Sequence, residues 1–335
     1  MSVTIKDVAR DTGLSIATIS KYLNGGNVLE DNKASIKSVI EKLGYKVNTM
    51  ARGLKTNKTM TVGVLIPDLK NIFCTTIISN LENILMQSGY STIVCDYNQC
   101  KDTESEKLNF LVGKQVDGII LLPSGSTLLG LDGLIDRGIP VVLIDRAMEE
   151  LHCDTILVDN LPASYNAVEL LITRGHRRIG IICGPRDVFT ARERLLGYVR
   201  VHGDYAMCVD ETLVKTGDYD VDSGYSLLND LLNLADPPTA VFVTNYEMTL
   251  GAVMAANERN IRFPDDISFI GFDNMQMARI VKPRLAIVMQ PVEQIGEVAA
   301  NILLRRLKGD MGNFPAMVRL KTSLVPGESI KELVI

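Results

Sequence analysis

The 335-residue chain contains no apolar run of the roughly 18 residues needed to span a bilayer, which excludes a helical membrane span. Its start, Met1-Ser2-Val3-Thr4-Ile5-Lys6-Asp7, lacks the basic-then-apolar pattern of an export signal, so a cytoplasmic protein is expected. Cysteine is sparse: Cys74, Cys95, Cys100, Cys153, Cys183 and Cys208 form no C-x-x-C pair and read as buried thiols rather than disulfides or a metal site. His152, His176 and His202 are dispersed without zinc-site spacing, and no metal is expected. No G-x-G-x-x-G follows a strand-like run and no Walker loop occurs, so nucleotide-cofactor enzymes lose support and no cofactor is expected. With no general base or nucleophile in place, the chain reads as a non-enzyme.

What is present is ordinary in bulk. Hydrophobic residues make up 46% and charged residues 22%, enough apolar material for large cores, and the length suits two or three domains. The net charge of -5 argues, taken whole, against a nucleic-acid partner. Its distribution argues otherwise. Residues 1–60 hold ten Lys/Arg against five Asp/Glu, a charge of +5, whereas the remainder holds 25 against 35, a charge of -10. A small basic segment is joined to a large acidic body.

The basic segment reads as three short helices. Thr4 caps the first, with Asp7 three residues later, and Ile5, Val8 and Ala9 share a face. Gly13 supplies the positive φ of a tight turn, and Ser15 caps a second helix with Ile19 and Leu23 facing inward. A third helix fits Asn32 to Leu43, stopped by Gly44. Ala9, Gly13 and Ile19 sit where a helix-turn-helix requires a small residue, a turn and a core contact. Three short helices also suit a protein-binding bundle. The outer face of the second helix, however, is Ser15, Ile16, Ala17, Thr18 and Lys21, short or basic side chains suited to a major groove, and this favours DNA.

From residue 61 apolar runs alternate with helical stretches. Strand candidates are Val62–Ile66, Ser91–Asp96, Gly118–Leu122, Val141–Asp145 and Thr155–Val158, then Ile179–Cys183, Ala240–Thr244, Ser268–Phe272 and Ala286–Val288. Buried runs separated by helices predict two doubly wound parallel sheets, divided near residue 160 with crossovers near 290 and 318. Ligands of such sheets bind beyond the carboxyl ends of the strands. There stand Asn71 and Phe73, Asp145 and Arg146, Phe189 and Arg194, Asn245, Asp273 and Gln290. Singly, each has another explanation: Asp and Asn cap helices, Arg pairs at surfaces, and Phe fills cores. Their recurrence at successive strand ends favours one pocket, with the carboxylates, amides, guanidinium groups and aromatic face that a neutral polyol needs.

Three segments, Thr4-Ile5-Lys6-Asp7-Val8-Ala9, Ala17-Thr18-Ile19-Ser20-Lys21-Tyr22-Leu23-Asn24 and Glu41-Lys42-Leu43-Gly44-Tyr45, closely resemble the headpiece of the lac repressor/galactose repressor family of bacterial transcriptional regulators. The resemblance runs through the chain. It implies a small all-α helix-turn-helix headpiece (1–47) and a hinge helix and linker (48–59). These precede a two-lobed α/β body like that of periplasmic sugar-binding proteins, with 60–159 plus 289–318 in one lobe and 160–288 plus 319–335 in the other. It places Ile16, Ala17 and Lys21 at base-reading positions and adds Thr4, Ser20 and Asn24 to the DNA contacts. Asn48, Ala51, Arg52 and Leu54 would serve in the hinge, with Leu54 as a minor-groove wedge. Lys21 stands in place of the usual Arg, and Val47 in place of the usual Pro. In the body, Asn71, Phe73, Asp145, Arg146, Arg194, Asn245, Asp273 and Gln290 fall on monosaccharide-contacting positions, in a set closer to pentose or hexose pockets than to purine pockets. Cys74 replaces a frequent aromatic residue and Tyr246 the usual Asp.

The expectation is therefore a nucleoid-associated, sugar-controlled repressor binding a pseudo-palindromic operator as a homodimer, since no leucine-heptad extension follows the body. A phosphoprotein or sugar-phosphate corepressor is the alternative. A sugar receptor without a DNA role would call for an export signal and no headpiece, and an enzyme of sugar metabolism for a general base or phosphate loop.

Overall fold

The computed structural model describes residues 3–23, 25–45, 58–125, 130–148, 151–273 and 275–333. They fall into two compact units, residues 1–59 and 60–335.

The described residues of the first unit form three helices: α1 (Ile5–Thr12), α2 (Ile16–Leu23) and α3 (Glu30–Leu43). Thr4 is extended, and the Asp7 carboxylate accepts its backbone N–H at 3.0 Å and its hydroxyl at 2.8 Å. Those bonds hold the Asp7 carboxyl below its ordinary pKa and anchor α1 at its positive end. Gly13 turns the chain with φ 69°, a left-handed conformation in which a Cβ would be strained. Ser15 Oγ then accepts the Thr18 N–H at 3.1 Å and starts α2. Val8, Ile19 and Ile36 are fully buried and join one side chain from each helix. The third helix starts two residues before the predicted Asn32. Leu29 occupies its cap position, and Glu30 and Asp31 fill the first turn, where acidic side chains complement the helix dipole.

The second unit holds two six-stranded sheets. In the first, the order is β11 (Met317–Leu320), β5 (Asp154–Val158), β4 (Val141–Ile144), β3 (Gly118–Leu121), β1 (Thr61–Ile66) and β2 (Ser91–Asp96), all parallel. In the second it is β12 (Ser323–Val325), β10 (Ala286–Met289), β9 (Ser268–Phe272), β8 (Ala240–Val243), β6 (Ile179–Cys183) and β7 (Val214–Thr216), parallel except for β12. Both faces of each sheet are covered. On the first, α4 (Ile72–Gln87) and α12 (Val292–Leu307) pack on Val62, Val64 and Ile66, while α5 (Lys101–Gly113) and α6 (Leu131–Asp136) pack on Leu65, Ile119 and Leu143. On the second, α9 (Val221–Leu232) and α10 (Tyr246–Glu258) cover one face, and α7 (Asn160–Thr173) and α8 (Phe189–Asp204) the other. A short α11 (Met275–Ile280) leads from β9 towards β10. The chain passes between the sheets three times, after β5, after β10 and after β11.

Nine strands match the apolar runs to within a residue. The other three, β7, β11 and β12, are short, lie at or near sheet edges and are only partly buried, so their sequences carry no continuous apolar run. The thiols divide: Cys74, Cys95, Cys153 and Cys183 are buried, but Cys100 and Cys208 are exposed, contrary to the expectation for these two. All six are free. No helix among the described residues is long and apolar enough to cross a membrane.

Helices α9 and α10 cross closely enough that a Cβ on Gly251 would overlap the Val221 carbonyl oxygen, and one on Gly224 the Met248 backbone. Because α10 opens with the cap residue Asn245, this crossing seats one wall of the cavity described below. Gly251→Ala is expected to lower stability by about 1–3 kcal/mol through overpacking, measured as a shift of the urea midpoint at unchanged m-value.

Candidate functional site

A cavity partly open to solvent lies between the carboxyl ends of the two sheets, the place where small ligands of parallel sheets bind. From the first sheet it takes Asp68, Asn71, Phe73, Cys74, Asp145 and Arg146, and from the second Thr190, Arg194, Tyr219, Asn245, Asp273 and Gln290. Chain reversal beyond each strand puts polar residues there, and the next helix begins on them. Asn71 caps α4 by accepting the Phe73 and Cys74 N–H groups at 2.9 and 3.3 Å, and Asn245 caps α10 by accepting the Met248 N–H at 3.1 Å.

Two aspartates occupy equivalent places. Asp145 follows β4 with φ 68°, and Asp273 follows β9 with φ 59°. Each backbone N–H still donates to the neighbouring strand, Asp145 to Ile156 O at 2.9 Å and Asp273 to Val288 O at 2.7 Å. The left-handed turn thus aims both carboxylates into the cavity without breaking the sheet ladder. Gln290 Nε2 donates to Asp273 at 2.8 Å, while Gln290 Oε1 is buried without a hydrogen-bond partner. Arg194 is fixed on three sides: Nε donates to Asn160 at 2.8 Å, Nη1 donates to Thr244 O at 2.5 Å, and the guanidinium lies 4.0 Å from the Phe272 ring centre. Arg146 Nη1 donates to Pro123 O at 2.9 Å, with Nε 3.6 Å from the Asp145 carboxylate.

Burial raises the Asp273 pKa to about 6 and nearby Asp145 adds to the rise, against the opposing pull of Arg194 and the Gln290 hydrogen bonds. Burial likewise pushes the Cys74 thiol up to about 12, leaving it a neutral wall group.

Eight of the nine residues expected at the pocket line this cavity. Phe189 does not: it is half-buried at the first position of α8, and Thr190 faces the cavity instead, because successive helical side chains diverge by about 100°. Sequence reasoning also missed Tyr219. It follows the short strand β7 with φ 62°, and its ring packs where any Cβ on Gly184 would be. Its hydroxyl lies 3.3 Å from Thr190 Oγ1. The only sequence signal near it is the Asp220 cap of α9, which accepts the Ser223 N–H at 2.7 Å.

In the first unit, Ser15 is exposed at the cap of α2, Ile16, Ala17 and Lys21 are exposed on the helix itself, and Thr18 and Ser20 are half-buried on it. Thr4 is exposed with its hydroxyl engaged in the α1 cap. Asn24, Asn48, Ala51, Arg52 and Leu54 lie outside the described residues.

Comparison with known proteins gives a consistent picture. Residues 4–48 match the family model described as bacterial regulatory proteins, lacI family, and residues 168–330 match a periplasmic binding protein-like domain. Catabolite control protein A of Priestia megaterium is 36% identical over 307 residues, 91% of this chain and 92% of that protein. The transcriptional repressor PurR of Vibrio atlanticus is 32% identical over 98% of this chain and 99% of its own. Among solved structures, the lac repressor dimer bound to operator and an anti-inducer superposes with a TM-score of 0.86 at 23% identity, covering 99% of this chain and 100% of that one, a likeness of fold. A LacI family regulator from Enterococcus faecium with bound ribose gives 0.74 at 27% identity, covering 82% of this chain and 100% of its own.

The raised pKa of Asp273 makes a testable contribution to stability. With a folded value near 6 against 3.8 in the ordinary state, the ionised carboxylate disfavours the fold above pH 6, and the cost fades as the pH falls from 6 to 4. Asp273→Asn is therefore expected to be more stable than the parent by about 2–3 kcal/mol at pH 7.5, with the difference closing between pH 6 and 4 in urea titrations.

Proposed function

The chain belongs to the lacI family of bacterial regulatory proteins, and on that premise we propose that it represses a carbohydrate-utilisation operon under the control of a small sugar held between its two lobes. Members of this family are transcriptional regulators. The observation that carries the sugar reading is the chemistry of the cavity. Each sugar hydroxyl donates and accepts at once, and the cavity offers carboxylate acceptors on Asp145 and Asp273, guanidinium donors on Arg146 and Arg194, and the unpartnered Gln290 Oε1. Phe73 and Tyr219 supply aromatic faces for the C–H side of a pyranose or furanose ring. Ribose in the Enterococcus faecium regulator supports the same class of ligand here.

DNA contact falls to the basic first unit, through the exposed face of α2. Two such units in a homodimer would read a pseudo-palindromic operator, in line with the dimeric lac repressor neighbour. Lys21 offers a point charge rather than a bidentate fork, so it contributes more to affinity than to discrimination between bases. The effector acts by binding one lobe arrangement more tightly than the other, a coupling typically of about 1–3 kcal/mol between two sites. Such a regulator works in the cytoplasm, on the nucleoid.

A gel shift on the protein's own upstream region, with a panel of pentoses, hexoses and their phosphates, tests the proposal. A retarded band at low salt whose intensity changes with one sugar is the expected result. No band on any such fragment would falsify the repressor reading. Asp273→Ala and Arg194→Ala are expected to abolish the sugar response while leaving DNA affinity within about twofold, because both lie in the second unit. Lys21→Ala should weaken DNA binding about tenfold and flatten its salt dependence with the sugar response intact.

A further inference from the structure

Glu104 is a carboxylate with only 1% of its surface exposed, on α5, and it does not line the cavity. Its two oxygens accept the Ser124 backbone N–H at 2.9 Å and, in a shorter contact, the Ser124 hydroxyl. The same short loop after β3 accepts Arg146 Nη1 through the carbonyls of Pro123 at 2.9 Å and Ser124 at 3.3 Å, and Tyr97 secures it from below by donating to Leu122 O at 3.0 Å. Burial raises the Glu104 carboxyl above its ordinary pKa, and the two Ser124 bonds and the charges of Arg146 and Lys101 oppose that rise. Arg146 and Glu104 thus bind one loop through its two kinds of group, Arg146 at the Pro123 and Ser124 carbonyls and Glu104 at the Ser124 N–H and hydroxyl, while Asp145 lies beside the Arg146 guanidinium.

This arrangement has a consequence for what the cavity accepts. An arginine with one carboxylate beside it and a second across its anchoring loop keeps its N–H donors, while the two negative charges offset part of its attraction for an anion. The other cavity guanidinium, Arg194, is already engaged by Asn160, Thr244 and Phe272, and Asp68, Asp145 and Asp273 add negative charge to the lining. Accepting that the cavity is the effector site, we infer that Glu104 is a specificity-determining residue: its buried charge holds Arg146 as a neutral-ligand donor and keeps phosphorylated sugars out. Discrimination of this kind comes from repulsion of the wrong ligand, not from an extra contact to the right one.

Glu104→Gln tests it, since the amide retains an acceptor for Ser124 and removes the charge. Inorganic phosphate, D-ribose and D-ribose 5-phosphate would be titrated at pH 7.5 against the full chain by calorimetry. The parent should show no phosphate uptake that depends on Arg146, whereas Glu104→Gln should bind phosphate at least about tenfold more tightly, and Arg146→Met added to it should erase the gain. Glu104→Asp, which keeps the charge, should exclude phosphate as the parent does. Equal phosphate binding by parent and Glu104→Gln overturns the inference, as does a loss of ribose and phosphate binding alike, the pattern of a merely structural residue. Phosphate uptake by the parent that Arg146→Met abolishes overturns it too, and that measurement stands even if Glu104→Gln does not fold. A parent that ignores every sugar, beside a Glu104→Gln that gains phosphate, would remove the effector reading and leave the charge inference intact.

Discussion

The second unit is organised around a conflict it does not remove: two carboxylates, Asp145 and Asp273, directed into one cavity from matching strand ends. Both sit in the left-handed backbone region, where a non-glycine residue costs on the order of 1 kcal/mol, and both keep their backbone bond to the adjacent strand. Aspartate tolerates that conformation better than most residues, which makes it suitable for a corner that must reverse the chain and present an acceptor. Burial raises the Asp273 pKa and the charge of Asp145 adds to it, while the groups nearby offset both: Gln290 bonds Asp273, Arg146 lies beside Asp145, and Arg194 sits between its own anchors. Strain and unfavourable charge concentrated in a cleft are what a site prepared for hydroxyl donors would be expected to retain.

Charge also separates the two units of the chain. A +5 segment and a -10 remainder are poorly described by their sum of -5, since each has its own partner. The acidic body is repelled by a duplex, which helps confine DNA contact to the basic unit. Within the body, the same excess of carboxylates over free guanidinium groups favours an uncharged effector. One compositional bias thus bears on two kinds of selectivity.

Much of this architecture is legible in the amino-acid order. Period-3.6 patterning around Val8, Ile19 and Ile36, with Gly13 at the turn, predicts three short helices sharing one core, because those positions put one apolar face of each helix inward. The central strands announce themselves as continuous apolar runs because both faces are covered. Edge strands β7, β11 and β12 do not, having one side half in solvent, and Tyr219 was lost with β7. The cavity-lining Asp, Asn and Arg residues were recoverable from a topological rule alone, since the end of a parallel strand is a known address.

Local sequence thus determined the helices, the buried strands, the charge division and the family, because each depends on residue order within a short window. Which neighbour at a strand end faces the cavity, Phe189 or Thr190, was decided by helix phase. That Asp145 and Asp273 line one cavity, that Tyr219 lies over Gly184, and that Glu104 and Arg146 bind one loop were decided by tertiary structure. The physical reason is the same for all three. Electrostatic coupling and close packing depend on distance in space, and two lobes joined by three crossings bring together residues that are far apart along the chain.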